Sequence, residues 1–217
     1  LCLRFGIYPK SKTFEMETKV NSLFFKNPIG LAAGFDKNAL LIKPISRMGF
    51  GFMEVGTITP KSQLGNKKPR IFRLINDSAI INRNGFNNDG MTVIKKRLIK
   101  YRNFNNSNSS FKLGINIGAN KESNDRINDY KLLASELSPY ADFISINISS
   151  PNTPGLKDLQ SKAQLLSVLK SVNQGLYKNK RSKFNIPVFI KISPEISNNN
   201  LENIVKISKK HNITGLI

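Results

Sequence analysis

Short apolar runs alternate with amphipathic helical stretches along most of this chain, and that alternation limits the fold more than any other feature. Runs of strand character stand at 29–33, 52–55, 112–117, 143–148 and 188–192, and a further one opens at 215–217. Between them, apolar residues recur at helical spacing over 39–48, 91–101, 125–137, 162–177 and 201–211. A helix between successive strands makes those strands parallel and covers the sheet they form. The expected fold is α/β, an incomplete TIM (β/α)8 barrel with about the first five βα units and the start of strand six. A complete barrel takes about 250 residues, and this sequence has 217. Ahead of the first unit, T-K-V-N-S-L-F-F-K at 18–26 has the β-branched and aromatic content of a short hairpin. Residues 1–8 look like the tail of a helix, so 1–26 is set apart from a barrel domain at 27–217.

Composition removes several function classes. Nothing approaches the run of about 18 apolar residues that a membrane span requires, and 1–8 carries Arg4 and no signal-peptide core. A single cysteine, Cys2, excludes an intramolecular disulfide framework and a cysteine metal site. The one histidine, His211, reads as an exposed residue at a helix C-terminus. A net charge of +20 raises the question of nucleic acid. However, Lys95-Lys96-Arg97, Lys178-Asn179-Lys180-Arg181 and Lys209-Lys210 fall on separate helices or loops, without interleaved aromatics for base stacking. No nucleic-acid partner is expected.

Chemistry concentrates at the carboxyl ends of the strands. Residues 145–157 read S-I-N-I-S-S-P-N-T-P-G-L-K, with Ile144, Ile146 and Ile148 alternating with Ser145, Asn147 and Ser149. This is the pattern of a half-buried strand. Pro151 and Pro154 end it, leaving Ser150, Asn152 and Thr153 in a loop where α/β proteins bind ligands. Other strands finish likewise: Ala33-Gly34-Phe35-Asp36-Lys37, Gly56-Thr57, Asn116, and Lys191 inside an apolar run. Lys191 needs an anionic partner, and no carboxylate in the strand runs presents itself as one. The segment 58–90 is too long for an ordinary βα loop and contains Asn82-Arg83-Asn84-Gly85-Phe86-Asn87 after the apolar Ala79-Ile80-Ile81. A loop of that kind at a barrel mouth is expected to be functional.

The run N-I-S-S-P-N-T-P-G-L-K and the run N-R-N-G-F-N resemble motifs of the class 2 dihydroorotate dehydrogenases, flavin enzymes of pyrimidine biosynthesis. The resemblance implies FMN as cofactor, dihydroorotate and orotate as substrate and product, and a membrane quinone as final electron acceptor. Ser150 stands at the position of the catalytic base, with Thr153 as a proton relay. Lys37, Asn82, Arg83, Asn84, Gly85, Phe86, Asn147 and Asn152 fall at substrate positions. Ala33, Gly34, Lys37, Thr57, Asn116, Asn147 and Lys191 fall at flavin positions, and no metal is implied. Class 1 enzymes carry cysteine where Ser150 stands here, which assigns the resemblance to class 2. That class implies a monomer, peripheral on the inner face of the cell membrane, or on the mitochondrial inner membrane in a eukaryote. Residues 1–26 would then include a remnant of its membrane-associating segment.

Two parts of the family pattern are not found: most of the N-terminal helices, and everything beyond the opening of strand six, including the Gly-rich loops that hold the flavin phosphate. Residues 1–217 alone are therefore expected to hold little flavin, to show no activity and to associate through unpaired strand edges. Two other readings differ in class. One is a flavin barrel acting on RNA, similar to dihydrouridine synthases, although that family uses a cysteine acid. The other is an inactive half-barrel remnant.

Overall fold

The computed structural model describes residues 16–104, 110–178 and 186–217. In chain order its elements are β1 (Thr18–Val20), β2 (Leu23–Phe25), β3 (Gly30–Leu31), α1 (Ile42–Ile45), β4 (Phe52–Ile58), β5 (Ile71–Leu74), β6 (Ala79–Asn82), α2 (Met91–Phe104), β7 (Lys112–Ile117), α3 (Arg126–Leu137), β8 (Phe143–Asn147), α4 (Lys162–Lys178), β9 (Val188–Lys191), α5 (Asn198–Lys210) and β10 (Gly215–Leu216). Six parallel strands in the order β10-β9-β8-β7-β4-β3 make a curled sheet, an incomplete barrel. Two helices start on side-chain caps, with Asp125 accepting from the Asn128 N–H and Ser197 from the Asn200 N–H. The expected helix tail at 1–8, Cys2, and the loop residues 105–109 and 179–185 lie outside the described residues.

The sheet has two different faces. Outward, Met53, Val55, Leu113, Ile115, Ile117, Ile144, Ile146, Val188 and Ile190 join one core with Ile94 and Leu98 of α2, Leu133 of α3, Val168 of α4 and Ile204 of α5. Inward, a second, smaller cluster fills the amino-terminal end of the curl: Leu23 and Phe25 with Phe143, flanked by Phe52 and Phe189. Ring centroids there lie 4.9 to 6.4 Å apart in tilted and edge-on arrangements, which suits the aromatic quadrupole. The hairpin expected at 18–26 thus plugs the barrel floor and shares its packing with the strands.

Register explains how rings fit inside so tight a curl. Phe52 is paired with Gly30, Phe143 with Gly114 and Phe189 with Gly215. A Cβ on Gly114 would stand 2.2 Å from the Phe143 ring, and one on Gly30 at the same distance from Phe52. Each aromatic therefore lies across a neighbouring strand that has no side chain to obstruct it.

Several expectations need correction. The strand at 143–148 is not half-buried: Ser145 (0% exposed) and Asn147 (7%) are as enclosed as the isoleucines, because the polar row faces the inside of the curl. Glu54 of β4 is buried and bonded to Asn116, so this strand carboxylate is no partner for Lys191. The segment 58–90 is not all loop, for β5 and β6 form an exposed antiparallel hairpin within it. The helix expected over 39–48 is regular only as α1, and His211 is half-buried where it caps α5, its N–H bonded to Ile207 O.

One irregularity shapes the functional end. Val55 pairs with Ile115 and Ile58 with Ile117, so Gly56 and Thr57 together oppose Asn116. This is a β-bulge. Gly56 sends its peptide groups to the preceding loop, donating to Asp36 O (3.1 Å) and accepting from the Gly34 N–H (2.8 Å). Its φ of +118°, and the 2.4 Å that would separate a Cβ from Asn116 O, require glycine here.

Candidate active site at the barrel mouth

Above the aromatic floor, the inward row becomes polar and is fully hydrogen-bonded. Asn116 Nδ2 donates to Glu54 Oε2 (2.9 Å) and Ser145 Oγ (3.3 Å). Its Oδ1 accepts from Thr57 Oγ1 (2.6 Å) and from Asn147 Nδ2 (3.3 Å). Asn147 Nδ2 also donates to Thr57 Oγ1 (3.0 Å), and its Oδ1 accepts from the N–H and hydroxyl of Ser149. From the outer layer, Tyr130 Oη donates to Asn147 O (2.8 Å), and burial pushes that phenol above its ordinary pKa. Polar groups buried so deeply are tolerated because each has a partner.

Thr57, Asn116 and Asn147 thus come together, as their positions at three strand ends predict. Lys191 is the register partner of Asn147, and its side chain leaves the sheet on the same face. Lys37, in the loop that follows β3, donates to Gly34 O (2.6 Å). Partial burial lowers its pKa, and the Arg70 guanidinium lowers it further. A Cβ at Gly34 would meet nothing within 4 Å, so the backbone there borders open space. Ala33 is half-buried beside it.

Two loops close over this set. In the first, Ser150 is half-buried and its Oγ accepts from the Asn152 N–H (3.3 Å). Thr153 is buried, and its hydroxyl has no hydrogen-bond partner among the described residues. In the second, Asn84 Nδ2 donates to Asn82 Oδ1 (3.1 Å). Gly85, at φ +67°, gives its carbonyl to Gln63 Nε2. The Phe86 ring packs over Gly118, where a Cβ would also strike the Thr57 methyl at 2.6 Å. Arg83 faces elsewhere: its guanidinium donates twice to Pro69 O and stacks on Phe72, 5.7 Å from the ring centre.

Asn66, which sequence reasoning passed over, ties the loops together by donating to Arg83 O (3.0 Å) and Asn152 O (3.4 Å). Asn152 Nδ2 returns a bond to Asn82 O (3.4 Å). Glu54, Ser145 and Tyr130 were missed as well. Only the parity of Glu54 with Phe52 in the same strand could have signalled it, as both face inward. A cavity of about 420 Å³ opens beside the mouth, among Lys157, Gln160, Ser193, Glu195 and Ser197. It includes no member of the hydrogen-bonded network. Among the described residues no cluster of metal-ligating side chains occurs.

The family model for dihydroorotate dehydrogenase matches residues 15–217. The chain belongs to the dihydroorotate dehydrogenase family. Among similar proteins, dihydroorotate dehydrogenase (quinone) of Bartonella tribocorum is 46% identical over 94% of this chain and 55% of its own length. The protein of that name from Bradyrhizobium sp. BTAi1 is 41% identical over 98% of this chain and 57% of its own. The chain therefore spans little more than half the length of these relatives. The ligand-free dihydroorotate dehydrogenase from Eimeria tenella superposes with a TM-score of 0.93 at 37% identity, covering 100% of this chain and 65% of that one. Its complex with ferulenol gives 0.92. As a dihydroorotate dehydrogenase family member, the chain places its family motifs on two loops that meet over one strand-end network.

Proposed function

We propose that the protein carrying this sequence oxidises dihydroorotate to orotate with FMN and passes the electrons to a quinone, as a step of pyrimidine biosynthesis. The observation that carries this reading is the convergence of the Ser150 and Asn82 loops over the network of Thr57, Asn116 and Asn147. The residues present fit a flavin: Gly34 borders open space, and Lys37 and Lys191 bring cations to the rim. Thr57, Lys37, Lys191 and the Ala33-Gly34 backbone would hold its ring. Asn116 and Asn147, saturated within the chain, would hold their neighbours. When bound, FMN supplies the acceptor for the hydride leaving C6.

This chain's residues supply the rest. Ser150 Oγ takes the C5 proton as general base, and the Thr153 hydroxyl, without a partner among the described residues, gives that proton a way onward. Asn82, Asn84 and Asn152 pair with the alternating N–H and C=O edge of the pyrimidine, since an amide both donates and accepts. Phe86 shields the space above Thr57 from water. Lys37 offsets the negative charge of the substrate carboxylate. A quinone acceptor implies work at a membrane surface, reached as a peripheral protein. No helix among the described residues is long and apolar enough to cross a membrane.

The test is anaerobic. In protein carrying this sequence and loaded with FMN, dihydroorotate should bleach the flavin absorbance and a quinone should restore it. Ser150→Ala should slow the bleaching by at least ~10²-fold while FMN stays bound. An unchanged rate would remove Ser150 from the mechanism, and no bleaching in the parent would remove the reading.

A further inference from the structure

We infer that Glu54, buried inside the barrel, is a positioning residue that fixes the amide orientation of Asn116. Through Asn116 it fixes which way the Thr57 hydroxyl and the Asn147 amide are turned within the network. A carboxylate only accepts, so the Asn116 edge facing Glu54 must be its NH₂, and the carbonyl edge must face Thr57 and Asn147. Reversing Asn116 would set its oxygen against the Glu54 carboxylate and its NH₂ against that of Asn147.

The far end of the network is fixed as well. The Ser149 backbone N–H can only donate, so Asn147 must present Oδ1 to it and NH₂ to Thr57 and Asn116. A line of bonds with an obligate acceptor at one end and an obligate donor at the other has one arrangement. Glu54 is the obligate acceptor. Its place in β4, paired with Gly114, puts the carboxylate directly above the Phe143 ring layer, out of reach of solvent. There it meets Asn116 at 2.9 Å.

A stability cycle tests this without any ligand. Asn116→Asp alone opposes two buried carboxylates and should lower Tm sharply. Adding Glu54→Gln turns that contact into an amide donating to a carboxylate, leaves acceptor oxygens facing Thr57 and Asn147, and should recover most of the loss. If E54Q brings no recovery to N116D, Glu54 does not act through Asn116. A second arm rests on the flavin reading above. Glu54→Met, which removes the acceptor, should weaken FMN binding and shift the visible flavin band, whereas Glu54→Gln, which keeps an acceptor oxygen, should stay near the parent. Parental affinity and spectrum in E54M would overturn the proposal. Failure of the parent itself to bind FMN would sink the flavin reading alone, and the stability cycle would still decide the role of Glu54.

Discussion

Lys37 is the side chain whose behaviour follows most directly from its surroundings. Partial burial withholds solvent from its ammonium, Arg70 adds a like charge, and one carbonyl, Gly34 O, accepts a hydrogen bond from it. All but the last act against the charged form. Because its folded pKa lies below the unfolded one, the penalty is fully present below the folded pKa. It is relieved as pH rises toward the unfolded value of 10.5. Arg70→Gln should therefore bring the Lys37 pKa part of the way back up, as read from the titration of its Nζ or from its reactivity toward amine reagents. A pKa that stays put would mean that burial acts alone. Arg70 also holds Leu64 O and Asn66 O, so the same substitution should loosen the tie between the two loops.

Among the elements, the glycine-to-aromatic pairs along the barrel floor give the sharpest expectation. Gly114→Ala would drive a methyl into the Phe143 ring, which is itself confined by Phe25, Phe52 and Phe189. Overpacking of this kind costs about 1–3 kcal/mol, to be measured by denaturant unfolding. A neutral result would show that the rings can shift as a group. None of this pairing was legible in the sequence, because it depends on register between strands dozens of residues apart. The strands and long helices were legible, since their apolar periods are strong and each buries a continuous face. The hairpin of β5 and β6 was not: Ile71, Phe72, Ile80 and Ile81 are all exposed, so burial imposes no alternation on them. The strand-end asparagines could be read as a set, whereas the saturation of Asn116 and Asn147 by Glu54, Ser145 and Ser149 depends on side-chain contacts between strands. The reading of Lys191 shows the same limit from the other side. A carboxylate was sought for it, and the one present in the strands is spent on an amide.

For the whole molecule the dominant long-range fact is charge. Lys and Arg number 34 against 14 Asp and Glu, and pairs such as Arg102–Asp142 and Lys95–Glu136 absorb only part of the excess. A chain this far from neutrality repels itself when compact. Raising salt from about 0.05 M to about 0.5 M, which shortens the screening length severalfold, should raise Tm. Thermal unfolding at the two salt concentrations checks it. A fall would mean that the paired charges outweigh the unpaired ones.

The bulge at Gly56 and Thr57 has a consequence for how this lineage can vary. Without Gly56, the Gly34 N–H would lose its acceptor and Asp36 O its donor. With one residue more, Ile58 would turn from the helices toward the polar interior. Homologous chains should therefore gain and lose residues in the loops that flank β4 and keep its length fixed, so that a gap opening within this strand in an alignment marks a misalignment more readily than a true difference.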